Sequence, residues 1–203
     1  GRDIVFEKDG ATYRKPASAE MAEAVQVYLD KVNEIHLAAE GRTLRVEVRV
    51  NLHHIDPALY GTADCVIHDP ESGTLYVIDY KHGAGVPVGV DDNPQLLYYA
   101  LGAALSEPDA VVHHVVTMVV QPRCYHVDGP VRESSISFMD LLNWSSGLHA
   151  AVKDTQDPEA PLYAGDHCRW CKAAAVCPAM ADRAMAAAQA EFRSDGRVDL
   201  PES

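Results

Sequence analysis

The sequence is short of basic charge. Its 203 residues hold 17 Lys and Arg against 30 Asp and Glu, a formal net charge of −13 at pH 7. That balance argues against a protein that grips nucleic acid through a broad basic surface. It leaves open an enzyme that meets a phosphodiester through a metal ion. Long apolar runs are also lacking: none approaches the roughly 20 residues that span a bilayer, and no secretory signal is visible. No membrane partner and a cytoplasmic location are therefore expected. Cysteine is scarce and odd in number, with Cys65, Cys124, Cys168, Cys171 and Cys177. An odd count without an export signal suggests a reducing compartment, not a disulfide scaffold. No internal repeat appears. There is no G-x-S-x-G and no phosphate-loop pattern; Gly83-Ala84-Gly85 reads instead as a flexible rim. The chain opens on Gly1-Arg2-Asp3 without an initiator Met, which raises the expectation of a longer parent protein.

What is present is enough for a core: 47% of residues are hydrophobic and 23% charged. Residues 1–17 are mixed, with a turn at Lys8-Asp9-Gly10. Met21, Val25, Leu29, Val32 and Ile35, with Ala24 and Tyr28, recur at spacings of three and four. They predict a helix from Ser18, its N-cap, to about Ala39, with Gly41 as a stop. Leu44 to Val50 alternates, with Leu44, Val46, Val48 and Val50 on one face and Arg45, Glu47 and Arg49 on the other. Residues 61–68 and 74–81 read as strands joined by the turn Asp69-Pro70-Glu71-Ser72-Gly73, an antiparallel hairpin. Asn93-Pro94 opens a second helix through about Leu105. Residues 111–121 predict a buried strand and 135–138 a short one; 139–153 and 178–192 predict helices, followed by a polar tail.

One constellation carries chemistry. Asp79 and Lys81 lie two apart at the end of the apolar strand Leu75–Lys81, so both leave one face of the sheet. Asp64 ends Gly61-Thr62-Ala63-Asp64 on the strand that should pair with it. Two carboxylates in one cleft, joined by the Tyr80 carbonyl, suit a hard divalent cation, and Lys81 can orient a water or offset phosphate charge. Alone, D-x-K is common and reads first as a surface ion pair on an exposed strand face. Gln95 and Tyr99, four apart on the next helix, share a face and form Q-x-x-x-Y.

G-x-x-D, then D-x-K at a strand end, then Q-x-x-x-Y resembles the RecB-like branch of the PD-(D/E)XK nuclease superfamily. The likeness spans about residues 44–180. Locally, residues 61–64 and Asn93-Pro94-Gln95-Leu96-Leu97-Tyr98-Tyr99-Ala100-Leu101-Gly102 look most like phage and prophage exonuclease-type domains of uncharacterised function. Two departures stand out: no Pro precedes Asp64, and the second acid is Asp79 and not a Glu. The resemblance implies an α/β restriction-endonuclease-like core, a mixed β-sheet flanked by helices, with a C-terminal helical Cys-bearing appendage. It implies an N-terminal segment and helix over 1–43, a nuclease core over 44–155 and a Cys cluster with helix over 156–203. The implied activity is Mg²⁺- or Mn²⁺-dependent hydrolysis of DNA, exonucleolytic, beside phage recombination proteins in a bacterial or phage-infected cytoplasm. Asp64, Asp79 and the Tyr80 carbonyl become metal ligands and Lys81 the catalytic lysine. Gln95 and Tyr99 support the site and the DNA. Glu47 is either the acid of the preceding strand or a solvated neighbour of Arg45 and Arg49.

Cys168-Arg169-Trp170-Cys171 and Cys177-Pro178 form C-x2-C-x5-C, a spacing that suits zinc or an iron–sulfur cluster with a fourth ligand. The resemblance implies a [4Fe–4S] staple with Zn²⁺ as the alternative. Its fourth Cys belongs upstream of the core, and no Cys precedes Cys65. That ligand is expected outside this chain, or His167, Cys124 or Cys65 substitutes, or the thiols are free. The resemblance also implies a metal-binding His upstream, where the first helix offers only His36. Arg42, Arg45, Arg49, Lys81, Arg123, Arg132 and Arg169 form either a local positive strip or scattered solubilising charge. Two other function classes compete: a catalytically silent DNA-binding or assembly module, and a zinc- or cluster-bound structural protein.

Overall fold

A computed structural model describes residues 3–107 and 109–194; the expected polar tail lies outside the described residues. The chain divides into two compact units, Gly1–Ala151 and Val152–Ser203. In the first, strands β1 (Asp3–Lys8) and β2 (Ala11–Pro16) pair as a separate antiparallel hairpin. Asp9 and Gly10 turn it, both at positive φ, which is the geometry of a two-residue hairpin loop. Helix α1 (Ala19–Leu37) follows. Then come β3 (Thr43–Asn51), β4 (Tyr60–Asp69), β5 (Thr74–Tyr80), α2 (Pro94–Leu105), β6 (His114–Val120), β7 (Val131–Ser137) and α3 (Phe138–Thr155). The five strands lie in the order β3-β4-β5-β6-β7, and only β5 and β6 run parallel, joined through α2. This is a mixed α/β sheet flanked by helices.

The termini of the elements obey local chemistry. Ser18 caps α1 by accepting from Met21 N–H at 3.1 Å. Asn93 caps α2 by accepting from Gln95 and Leu96 N–H, with Pro94 in the first turn. In the β4–β5 turn, Asp69 Oδ1 accepts from Glu71 and Ser72 N–H, and its Oδ2 pairs with Arg42 at 2.8 Å. Burial works against the charge on Asp69; Arg42 and these donors outweigh it and hold the carboxyl below its usual range.

The sheet has two apolar faces. Ile67, Ile78, Met118, Val120 and Cys65 meet Val32 and Ile35 of α1. Val50, Ala63, Leu75, Val77 and Val115 meet Leu97, Ala100, Leu101 and Ala104 of α2, and Leu141 of α3. The α1 stripe is narrower than its sequence predicts. Ala24, Val32 and Ile35 are buried, whereas Val25 and Leu29 are exposed, because the helix touches the sheet along one line of its surface.

The alternation of β3 is also not as expected. Val48 and Val50 belong to the α2-side core. Val46, of the same parity, is 63% exposed. Across the ladder, Ala63 lies with the α2-side core but Cys65 with the α1-side core. Both strands therefore change face at one level, where Glu47 stands opposite Asp64. Glu47 has φ +51, a left-handed backbone for a non-glycine residue. Pairing resumes in the same register beyond it, from Val46↔Cys65 to Val48↔Ala63. A one-residue twist of this kind is invisible to a two-residue hydrophobic period.

In the second unit, 3₁₀ turns at Asp166–Trp170 and Ala174–Val176 precede helix α4 (Pro178–Ser194). None of the described helices is long and apolar enough to cross a membrane.

Candidate active site

The site sits where β4 and β5 part. Their ladder ends at Cys65↔Ile78. At the next level Asp64 Oδ2 turns inward to accept the Tyr80 backbone N–H at 2.8 Å. That bond replaces a ladder hydrogen bond and fixes the Asp64 carboxylate against the end of β5. Asp79, opposite, is 3% exposed. Lys81 Nζ lies 2.8 Å from Asp79 Oδ2. Lys81 is the cation that meets this oxygen, and Oδ2 has no further hydrogen-bond partner among the described residues. Burial pushes the Asp79 carboxyl above its usual range; Lys81 pulls it back, and the charge of Asp64 pushes it further up.

From Lys81 a chain of polar contacts runs onto α2. Its Nζ donates to Gln95 Oε1 at 3.0 Å, and Gln95 Nε2 donates to the Tyr99 hydroxyl at 3.0 Å. Tyr99 in turn rests on Gly61, where a Cβ would stand 2.9 Å from its Cε1. The glycine of G-x-x-D is therefore the seat of the tyrosine of Q-x-x-x-Y. The structure thus brings together Asp79, Lys81, Gln95 and Tyr99, and sets Asp64 at the same strand fork. Glu47 faces Asp64 across the β3–β4 ladder and is exposed.

Helix α1 adds residues that the motifs do not announce. The Tyr28 ring lies 5.4 Å from that of Tyr80, and the Tyr80 hydroxyl is 2.7 Å from His82 Nδ1. Burial raises the Tyr28 hydroxyl pKa, with Cys65, Asp64 and Glu47 adding to it. Burial likewise raises the Cys65 thiol to about 11. Arg123 pairs with Glu20 at 2.8 Å and donates to the His82 carbonyl. A tyrosine within an apolar stripe reads from sequence as core, so nothing there marks Tyr28.

The glycine-rich rim is held from below. Gln121, 1% exposed, donates to the carbonyls of Gly83 and Val86 and accepts from Val88 N–H. Arg132, 4% exposed, donates to the carbonyls of Val88 and Gly129 and to Gln121. The rim is thus pinned and not loose. Of the seven basic residues of the suspected strip, Arg42, Arg45 and Arg123 are ion-paired and Arg132 is buried.

The carboxylate pair suits a cation on the ground of its chemistry: a buried Asp79, met by Lys81 alone, lies beside a second, anchored carboxylate whose charge raises its pKa further. Among the described residues, no group of three or more His, Cys, Asp or Glu is arranged to hold a metal ion. Neither Cys168, Cys171 and Cys177 nor Glu47, Asp64 and Asp79 form such a group. Cys168 Sγ accepts from Gly165 N–H at 3.4 Å, and Cys171 is exposed.

Residues 6–202 match the family model described as "Protein of unknown function (DUF2800)". The chain belongs to DUF2800. That description names no activity, so the DUF2800 assignment fixes kinship without chemistry. A solved structure titled "Crystal structure of SSO0001" is similar at 16% identity, with a TM-score of 0.34, over 81% of this chain and 72% of that one.

Proposed function

We propose that the chain is a Mg²⁺- or Mn²⁺-dependent DNA nuclease, exonucleolytic, built on a restriction-endonuclease-like core and acting in phage recombination or DNA processing. The observation that carries this reading is the convergence at one strand fork of a buried Asp79 paired with Lys81, an anchored Asp64, and a Gln95 that holds Lys81. A desolvated carboxylate beside a second one is costly to charge; Lys81 offsets part of that cost, and a divalent ion shared by the two would offset more.

Asp64, Asp79 and the Tyr80 carbonyl would hold the divalent ion, which when bound supplies Lewis-acid polarisation of the phosphate and a more acidic water. Asp64 needs no reorganisation for this, since Tyr80 N–H already orients it. Lys81 keeps a cation beside Asp79, where it offsets charge that grows on the phosphate oxygens. Gln95 accepts from Lys81 and so narrows its rotamers, and Tyr99 holds Gln95. Glu47 adds a carboxylate opposite Asp64. The reading extends to a [4Fe–4S] cluster or Zn²⁺ at Cys168, Cys171 and Cys177, supported by their spacing alone; metal analysis and absorbance near 400 nm test it.

The test is hydrolysis of end-labelled linear DNA in Mg²⁺ or Mn²⁺. Asp79→Ala and Lys81→Ala are each expected to lose activity by about 10²-fold or more. Activity that survives either change overturns the mechanism. Divalent binding by calorimetry without turnover would instead identify a silent module that keeps the site.

A further inference from the structure

We infer that the outer face of the β3–β4 hairpin is a subsite for unpaired bases of a single-stranded nucleic acid; this rests on the reading of nucleic acid as the substrate. The hairpin projects beyond the end of β5. The β4–β5 ladder stops at Cys65↔Ile78, while β3 and β4 stay paired from Val48↔Ala63 to Asn51↔Tyr60. Its inner face lies on α2: Gly61 seats Tyr99, and Gly102 leaves room for Val50, whose Cβ would lie 2.8 Å from an added methyl. The outer face presents Arg49, Asn51, Tyr60 and Thr62, all exposed.

The chemistry of that face is specific. Tyr60 is 66% exposed, an apolar ring left in water. Arg49 is exposed, and among the described residues no hydrogen bond or ion pair engages its guanidinium. With Val50, Asn51 and His53 these two line a cavity of about 230 Å³, and no carboxylate lines it, on a chain whose net charge is −13. A bare ring offers a stacking platform, an unpaired guanidinium a phosphate contact, and Asn and His side chains partners for base edges. Stacking needs a base whose face is free, which a duplex withholds. Tyr60 lies four strand residues, about 13 Å, from Asp64.

The test is binding of fluorescently labelled oligothymidylate to the full chain in EDTA, followed by anisotropy over a range of salt. Wild-type chain and Tyr60→Phe are expected to bind alike, and Tyr60→Ala about tenfold more weakly. Arg49→Gln is expected to reduce the slope of log K against log salt by about 0.7, one single-strand phosphate contact. Absence of binding by the wild type, or Tyr60→Ala and Arg49→Gln that bind as it does, overturns the inference. The two proposals fail separately. A chain that binds through Tyr60 but cleaves no DNA in Mn²⁺ retires the hydrolysis and keeps the subsite. One that cleaves with Tyr60→Ala unchanged in binding and rate does the reverse.

Discussion

Asp79 serves two opposed demands. Its carboxylate is buried beside Asp64, which disfavours its charge, yet the proposed chemistry needs that charge. Without metal, the folded state carries this burden, and Lys81 relieves only part of it. Asp79→Asn is therefore expected to raise the thermal midpoint of metal-free protein by a few degrees, of order 1 kcal/mol, while abolishing cleavage. A midpoint that falls by several degrees would show that the Lys81 pair outweighs the burial. Gly61 is the second decisive residue. A methyl there would meet Tyr99 Cε1 at 2.9 Å, so Gly61→Ala is expected to displace Tyr99 and loosen Gln95 and Lys81. The predicted signature is a drop in kcat of about tenfold or more with little change in KM.

Among the elements, β3 and the β4–β5 turn have distinct expectations. Glu47 holds a left-handed backbone that costs a non-glycine residue about 1–2 kcal/mol. Glu47→Gly is expected to keep or modestly raise stability in urea unfolding, and Glu47→Val to lower it, since a branched Cβ suits that conformation least. The turn gives a pH dependence. The folded Asp69 carboxyl titrates below its unfolded value of 3.8. The unfolded chain therefore binds more protons in that window, and stability is lost as pH falls through it. Wild type should exceed Asp69→Asn by about 1–3 kcal/mol above pH 4 or so, the gap closing as acid neutralises the carboxyl. A gap that persists unchanged at low pH would assign the effect to packing.

For the whole molecule, the net charge of −13 sets how the proposed nucleic-acid substrate would be met: attraction would have to be local, with cations supplying much of it. Divalent binding that favours the folded state should raise its stability by about 2.7 kcal/mol at a hundredfold excess over Kd. Mn²⁺ is thus expected to shift the thermal midpoint of the wild type upward and leave that of Asp79→Asn in place. Equal shifts in both would move the ion to another part of the chain.

The elements themselves were legible in the residues. Ser18 and Asn93-Pro94 start helices, Asp69 to Gly73 turns a hairpin, and β-branched runs make strands, because caps, turns and periods act over a few neighbours. The order Asp64, Asp79, Lys81, Gln95, Tyr99 was legible too, since each motif spans only a few neighbouring residues. The separate β1–β2 hairpin, the face change at Glu47, the seat that Gly61 gives Tyr99, the approach of Tyr28 and the burial of Arg132 were not. Each depends on which strands and helices come to touch, and contacts between residues far apart in the chain leave no local period to read.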